Sequence, residues 1–159
     1  MDGVRHSRTA QKVLLITVAA ASLLILVSAI IVGSYMNNRL TSNEVIIGET
    51  KVAVKVADDV AERKQGLSGT KPLKPDTGML FIFDELERQG IWMKDMKYPL
   101  DIIWLDDDKK VVHTEENVSP DTYPETFAST TPALYVLEVP SGFVAANHIK
   151  EGAVAAFSR

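Results

Sequence analysis

Polar and apolar residues follow two regimes along this chain: one unbroken apolar block, then a region of short alternations. The block covers residues 13–33, and its only polar members are Thr17, Ser22 and Ser28. As a helix rising about 1.5 Å per residue it reaches roughly 31 Å, close to a bilayer hydrocarbon core of about 30 Å. Beyond it, Val52, Val54 and Val56 alternate with Lys51, Ala53 and Lys55, which predicts a strand over Thr50–Ala57 with one wet face. Residues 78–83 (GMLFIF) are apolar on both faces and predict a central strand. Residues 89–94 and 100–105 follow, split by Tyr98-Pro99. A polar turn at 106–110 leads into a returning hairpin arm over 111–117. Further strands are predicted at 133–139 and 153–157.

Two helices interrupt these strands. Asp58 or Asp59 can cap one that runs to about Leu67, ended by Gly66 or Gly69; Ser141 can cap a shorter one over 142–148. Residues 118–132, with Pro120, Pro124 and Pro132, predict a long surface loop. The expected fold is mainly β: a compact β-sandwich or partly open barrel with two short helices, preceded by one amino-terminal transmembrane helix.

Charge orients that scheme. Arg5, Arg8 and Lys12 precede the apolar block and only Arg39 follows it closely, a bias that keeps the amino end in the cytoplasm. Residues 1–12 are then a basic cytoplasmic tail, 13–33 a signal-anchor crossing the bilayer, 34–43 a tether and 44–159 an extracytoplasmic domain. The alternative is a signal cleaved near Ala29, after the small residues of Val27-Ser28-Ala29, with the domain secreted. The apolar run continuing through Ile30, Ile31 and Val32 favours the anchor, because a signal's apolar region is usually about 7–15 residues. From Glu44 onward the chain has 20 acidic against 13 basic residues, a net charge near −7, which argues against a nucleic-acid partner. Cysteine is absent, so disulfides and thiolate chemistry are excluded.

Five motifs occur in one order: Arg63 through Leu67 (RKQGL), Gly78-Met79-Leu80-Phe81, Trp92-Met93-Lys94, Pro99-Leu100-Asp101-Ile102 and Tyr135-Val136-Leu137-Glu138-Val139. Together they resemble the domain-of-unknown-function family 192 of bacteria and archaea, over about residues 46–158. The resemblance implies a compact β-rich sandwich with short helices in an exported or membrane-anchored protein, and no established activity. Asp95 departs from the family's usual Asn, and Lys109 falls near a usual hairpin Gly. The proline-rich loop lacks the cysteines that many members carry, so a role that needs them does not extend here.

Several residues are candidates for chemistry. Arg63 falls on the side of the first helix that carries Val60 and Leu67, and a guanidinium aimed at a core needs a carboxylate. Asp101 and Glu138 are available from strands. Such a pair either pins the helix to the sheet or lines a pocket. Trp92 and Lys94 project from one strand face, opposite Ile91 and Met93, and with Asp95 and Asp101 would form a small-ligand site. The bland alternative is a strand end over which Lys94 snorkels. Ligand-binding candidates are therefore Trp92, Lys94, Asp101 and Glu138, with Arg63 as the structural ion-pair candidate.

No catalytic constellation emerges. Ser68 lacks a nucleophile-elbow frame, and Asp106-Asp107-Asp108 lacks the oxygen ligand and glycine of a calcium loop. His113 and Glu115 supply two ligands, too few for a metal site. No cofactor is called for. The leading functional reading is a membrane-anchored envelope module that binds a small ligand or another envelope protein, with the bilayer as partner through residues 13–33. The alternatives are an envelope hydrolase using Lys94, Asp101 or Glu138 as acid–base groups, and a purely structural component of an envelope assembly.

Overall fold

The structure, a computed structural model, describes Val18, residues 21–28 and residues 43–158. The chain divides into two compact units, 1–42 and 43–159. In the first, residues 21–28 are helical, and Ser28 Oγ donates back to the Ile25 carbonyl at 2.8 Å. Among the described residues no helix is long and apolar enough to cross a membrane. The remainder of the predicted span, the basic tail 1–12 and nearly all of the tether lie outside the described residues.

The second unit contains β1 (Glu44–Ile47), β2 (Thr50–Ala57), α1 (Val60–Gln65), β3 (Thr77–Glu87), β4 (Ile91–Trp92), β5 (Leu100–Leu105) and β6 (Val111–Val118). A 3-10 turn (Pro120–Thr122), β7 (Thr126–Phe127), β8 (Ala133–Pro140), α2 (Phe143–Ala146) and β9 (Ala155–Ala156) complete it. Seven strands form one sheet in the order β6-β5-β8-β3-β2-β1-β9, and β4 pairs separately with β7. Only β2 and β3 run parallel, which demands a crossover, and α1 with the segment 66–76 provides it.

The large sheet curls into a half-barrel. Lys110 bridges Val154, the Val111 N–H donates to Ala153 O and the Gly152 N–H to Val111 O, both at 2.8 Å, so residues 152–156 join the start of β6 to β1. Of the two expected architectures, the barrel-like one is present; the second sheet of a sandwich is reduced to the β4–β7 pair. Every residue of β5 is buried, because the sheet is covered on both sides. One face carries Leu80, Ile82, Ile103, Leu105, Leu137 and Val139 against Phe143 and Val144 of α2. The opposite face carries Phe81, Ile102, Trp104 and Val136 against Leu67, Ile91, Met93 and Tyr98.

Local chemistry sets the boundaries. Asp59 caps α1 by accepting the Glu62 N–H at 2.8 Å, and Gly66 ends it in a positive-φ conformation that L side chains rarely adopt. The expected Ser141 cap is absent. Ser141 Oγ instead donates to Asn117 Oδ1 at 2.8 Å, and Gly142 occupies the cap position of α2 with no side chain of its own. The loop 118–132 is less bare than its prolines suggest, since β7 within it pairs Thr126 with Trp92 and Phe127 with Ile91. Lys109 and Asp95, the two departures from the family pattern, both have positive φ, a conformation that Gly and Asn adopt more readily.

Candidate functional site

Strand register separates the two acidic candidates. Asp101 sits opposite Val139 and Ile102 opposite Glu138, so Asp101 and Glu138 point to opposite faces of the sheet. Asp101 is fully buried, and each of its three hydrogen bonds comes from a backbone N–H. Its Oδ1 accepts from Asn117 N at 2.8 Å and Gly142 N at 3.1 Å, and its Oδ2 from Val144 N at 2.8 Å. It serves as the cap of α2, supplied from about forty residues upstream, and is not brought together with Trp92 and Lys94.

Arg63 pairs with neither expected carboxylate. Its Nη2 donates to Asp84 Oδ2 at 2.9 Å, while Nη1 donates to the carbonyls of Asp58 at 2.7 Å and Ile82 at 2.8 Å. The guanidinium also stands 5.6 Å from the centroid of the Phe83 ring. Because Asp84 is largely exposed, the ion pair contributes little; the bond to the Ile82 carbonyl does most to tie α1 to β3, while the bond to the Asp58 carbonyl braces the start of the helix.

Glu138 lies on the other face, in the wall of a cavity of about 110 Å³ between α1, β3 and β4. It is 5% exposed, and its Oε2 has no hydrogen-bond partner among the described residues. Burial pushes its carboxyl up from 4.5 to about 8, because the charged form loses its hydration there. At neutral pH the group is therefore a carboxylic acid, able to donate a hydrogen bond. The cavity's aromatic sides are Phe81, Phe83 and Trp92, and Met96 and residues 66–68 also line it.

Trp92 connects this cavity to a more open recess of about 500 Å³, which Lys64, Ser68, Lys94 and Asp95 also line. The side chain of Trp92 is 49% exposed, although its neighbours Ile91 and Met93 are buried, as strand alternation requires. Ser68 stabilises the recess by donating from Oγ to the Lys94 carbonyl at 2.8 Å. Three of the four ligand-binding candidates, Trp92, Lys94 and Glu138, thus border this cavity or the adjoining recess, which share Lys64, Gln65, Ser68 and Trp92 as lining, and Asp101 borders neither. Lys64, Ser68, Phe83 and Met96 were not singled out as ligand contacts from sequence. Phe81 and Phe83 lie at alternate positions of the strand that carries the Gly78-Met79-Leu80-Phe81 motif, and that periodicity was the available signal.

Elsewhere, His113 Nε2 lies 3.0 Å from Glu115 Oε1 and its Nδ1 lies 3.8 Å from Glu151 Oε1. No group of three or more metal-ligating side chains occurs among the described residues.

Fold and cleft together define a class: a β half-barrel module with a small cavity, walled by aromatics and closed below by an unpartnered acid. The chain belongs to the DUF192 family, described as uncharacterized ACR, whose family model matches residues 43–157. Two of the similar solved structures are as follows. A protein of unknown function from Novosphingobium aromaticivorans DSM 12444 is 26% identical at a TM-score of 0.68, covering 72% of this chain and 84% of its own. A protein from Sinorhizobium meliloti 1021, described as a candidate transcription regulator, is 30% identical at a TM-score of 0.67, covering 71% of this chain and 92% of its own. No curated protein matches the chain.

Proposed function

We propose that this protein is a membrane-anchored, extracytoplasmic binding module whose ligand enters the cleft between Trp92 and Glu138. The observation that carries the binding reading is the Glu138 carboxyl, buried in the cavity wall with an oxygen that nothing in the described protein satisfies. Buried polar groups of this kind cost free energy and persist where they serve a purpose other than stability. The half-exposed indole of Trp92 supplies a platform at the mouth. A hydrolase is the weaker reading, because the Asp101 carboxylate is consumed by α2 and Ser68 is committed to the Lys94 carbonyl.

Titration of the full-length chain in detergent with benzamide and toluene, followed by Trp92 emission, tests the reading. A saturable change in the parent that is lost in Trp92→Phe supports it, and no response to either compound refutes it. Anchoring is supported by the apolar run 13–33 and its flanking cations, and by the exposed apolar side chains Leu23, Leu24, Ile25 and Leu26. A periplasm-dependent phosphatase fused after Arg159 should be active. A fusion functional only in the cytoplasm would refute the orientation. The regulator description belongs to the Sinorhizobium protein; the net charge near −7 of this domain disfavours contact with a phosphate backbone.

A further inference from the structure

We infer that the cleft selects an uncharged, flat ligand that presents a hydrogen-bond acceptor, such as a carbonyl or carboxamide oxygen on an aromatic body, to the Glu138 carboxyl. The inference rests on the binding reading above and adds to it the chemistry of the ligand. Three observations lead to it.

The first is size. A cavity of about 110 Å³ is somewhat smaller than the roughly 150 Å³ engineered cavity that accommodates benzene. It therefore takes at most one ring or a comparable planar group, with any remainder extending past Trp92 into the outer recess. The second is the wall. Phe81, Phe83 and Trp92 provide apolar surface on which a flat group packs well, and one side of Phe83 is already engaged by the Arg63 guanidinium.

The third is charge. The charged groups facing the same cavity are Arg63 and Lys64, both from α1; β3 and β4 contribute Phe81, Phe83, Ile91 and Trp92, and the turn after β4 contributes Met96. Among the described residues that line the cavity there is no second carboxylate, and the other two charged side chains are cations. A cationic ligand would enter against both of them. An anionic ligand would lose its hydration among aromatic rings, with Arg63 already occupied by Asp84 and two carbonyls and Lys64 exposed to solvent. A neutral acceptor meets neither penalty. It also offers an acceptor to the Glu138 carboxyl, which lines the cavity and whose Oε2 has no hydrogen-bond partner among the described residues, because an acid that holds its proton near neutral pH can donate.

Proton linkage then follows. The acceptor binds the protonated carboxyl, so affinity should be level below the Glu138 titration near pH 8 and fall about tenfold per pH unit above it. The full-length chain is titrated with benzamide, toluene and benzylammonium between pH 6 and pH 10, in the parent, Glu138→Gln and Glu138→Leu. Buried Trp104 emission verifies that each variant is folded.

The expected result is benzamide bound about tenfold more tightly than toluene at pH 6, with that advantage lost by about pH 9. Glu138→Gln retains an N–H donor, so it should keep the preference for benzamide and lose its dependence on pH. Glu138→Leu should bind the two compounds alike. Equal binding of benzamide and toluene by the parent, or tightest binding of benzylammonium with affinity rising as pH rises, would overturn the inference while leaving the cleft as a binding site. Failure of all three compounds would overturn the binding reading itself.

Discussion

Replacing Glu138 with Gln should make this domain more stable, and increasingly so as pH rises. In the native state the carboxyl holds its proton up to about pH 8, whereas in the unfolded chain it releases it near the ordinary value of 4.5. Between these limits the unfolded state binds fewer protons than the native state, so stability declines with pH by about a factor of ten in the unfolding equilibrium per unit. Stability is fully present below pH 4.5 and is lost as pH climbs through the native titration. Across the whole interval the loss amounts to about 5 kcal/mol, a large part of the roughly 5–15 kcal/mol that holds a domain together. Glutamine is nearly isosteric and cannot ionise. At pH 5 the variant and parent should differ by no more than about 1 kcal/mol, the scale of one rearranged hydrogen bond. At pH 8 the variant should lead by about 3–5 kcal/mol. With urea slopes of about 1–3 kcal/mol per molar, the unfolding midpoint would move upward by roughly 2 M. Urea titrations of both proteins at unit intervals from pH 5 to pH 8 measure this, and subtracting one from the other removes every contribution common to both. Parallel stability–pH curves would refute the reasoning, because they would mean that Glu138 carries no proton in the native state that it lacks when unfolded.

Three further perturbations probe the frame around the cleft. Asp101→Asn should cost about 2–4 kcal/mol and lower the melting temperature by roughly 10 °C, because an amide cannot accept all three backbone N–H groups that the carboxylate serves; an unchanged melt would refute the capping role. Gly78→Ala should destabilise by about 2–4 kcal/mol, since the added Cβ would lie 2.5 Å from the Glu138 carbonyl oxygen on the paired strand, and denaturant unfolding measures the loss. Acrylamide should quench one class of tryptophan in the parent and almost none in Trp92→Phe, because Trp104 is fully buried and its indole N–H donates to the Gln89 carbonyl at 2.8 Å. Persistent quenching in the variant would contradict that assignment.

Local pattern carried the reading of the chain as far as local physics reaches. Alternation located β2, strand-forming runs between turn signals located β5, β6 and β8 closely, and of the alternatives offered for α1 the structure uses Asp59 as cap and Gly66 as stop. The four-residue β1 was not predicted, because EVII beside a polar tether is too short to show a period. Within each strand the faces were assigned largely correctly, with Asp101 beside Ile103 and Glu138 beside Val136. Whether those two faces coincide depends on how β5 and β8 align, and a shift of one residue in that register would have reversed the answer. The cap of α2 shows the same limit. Rules for helix starts look a few residues back and find Ser141, but the groups that satisfy the helix come from a strand some forty positions earlier. Arg63 was expected to need a partner from the sheet, and β3 supplies one in Asp84 together with the Ile82 carbonyl, acceptors that side-chain patterning does not reveal.

The segment after α2 works as a clasp between the two margins of the half-barrel. Residues 152–155 bond to Lys109 and Val111, β9 pairs with β1, and Lys109 Nζ reaches the Phe157 carbonyl at 2.8 Å while lying over the Phe157 ring. One short stretch therefore shields two open strand margins at once. A nick or truncation ahead of Gly152 would bare both together, and exposed strand margins recruit other chains. Loss of these few residues should thus be felt first as self-association in solution, before any change at the distant cleft.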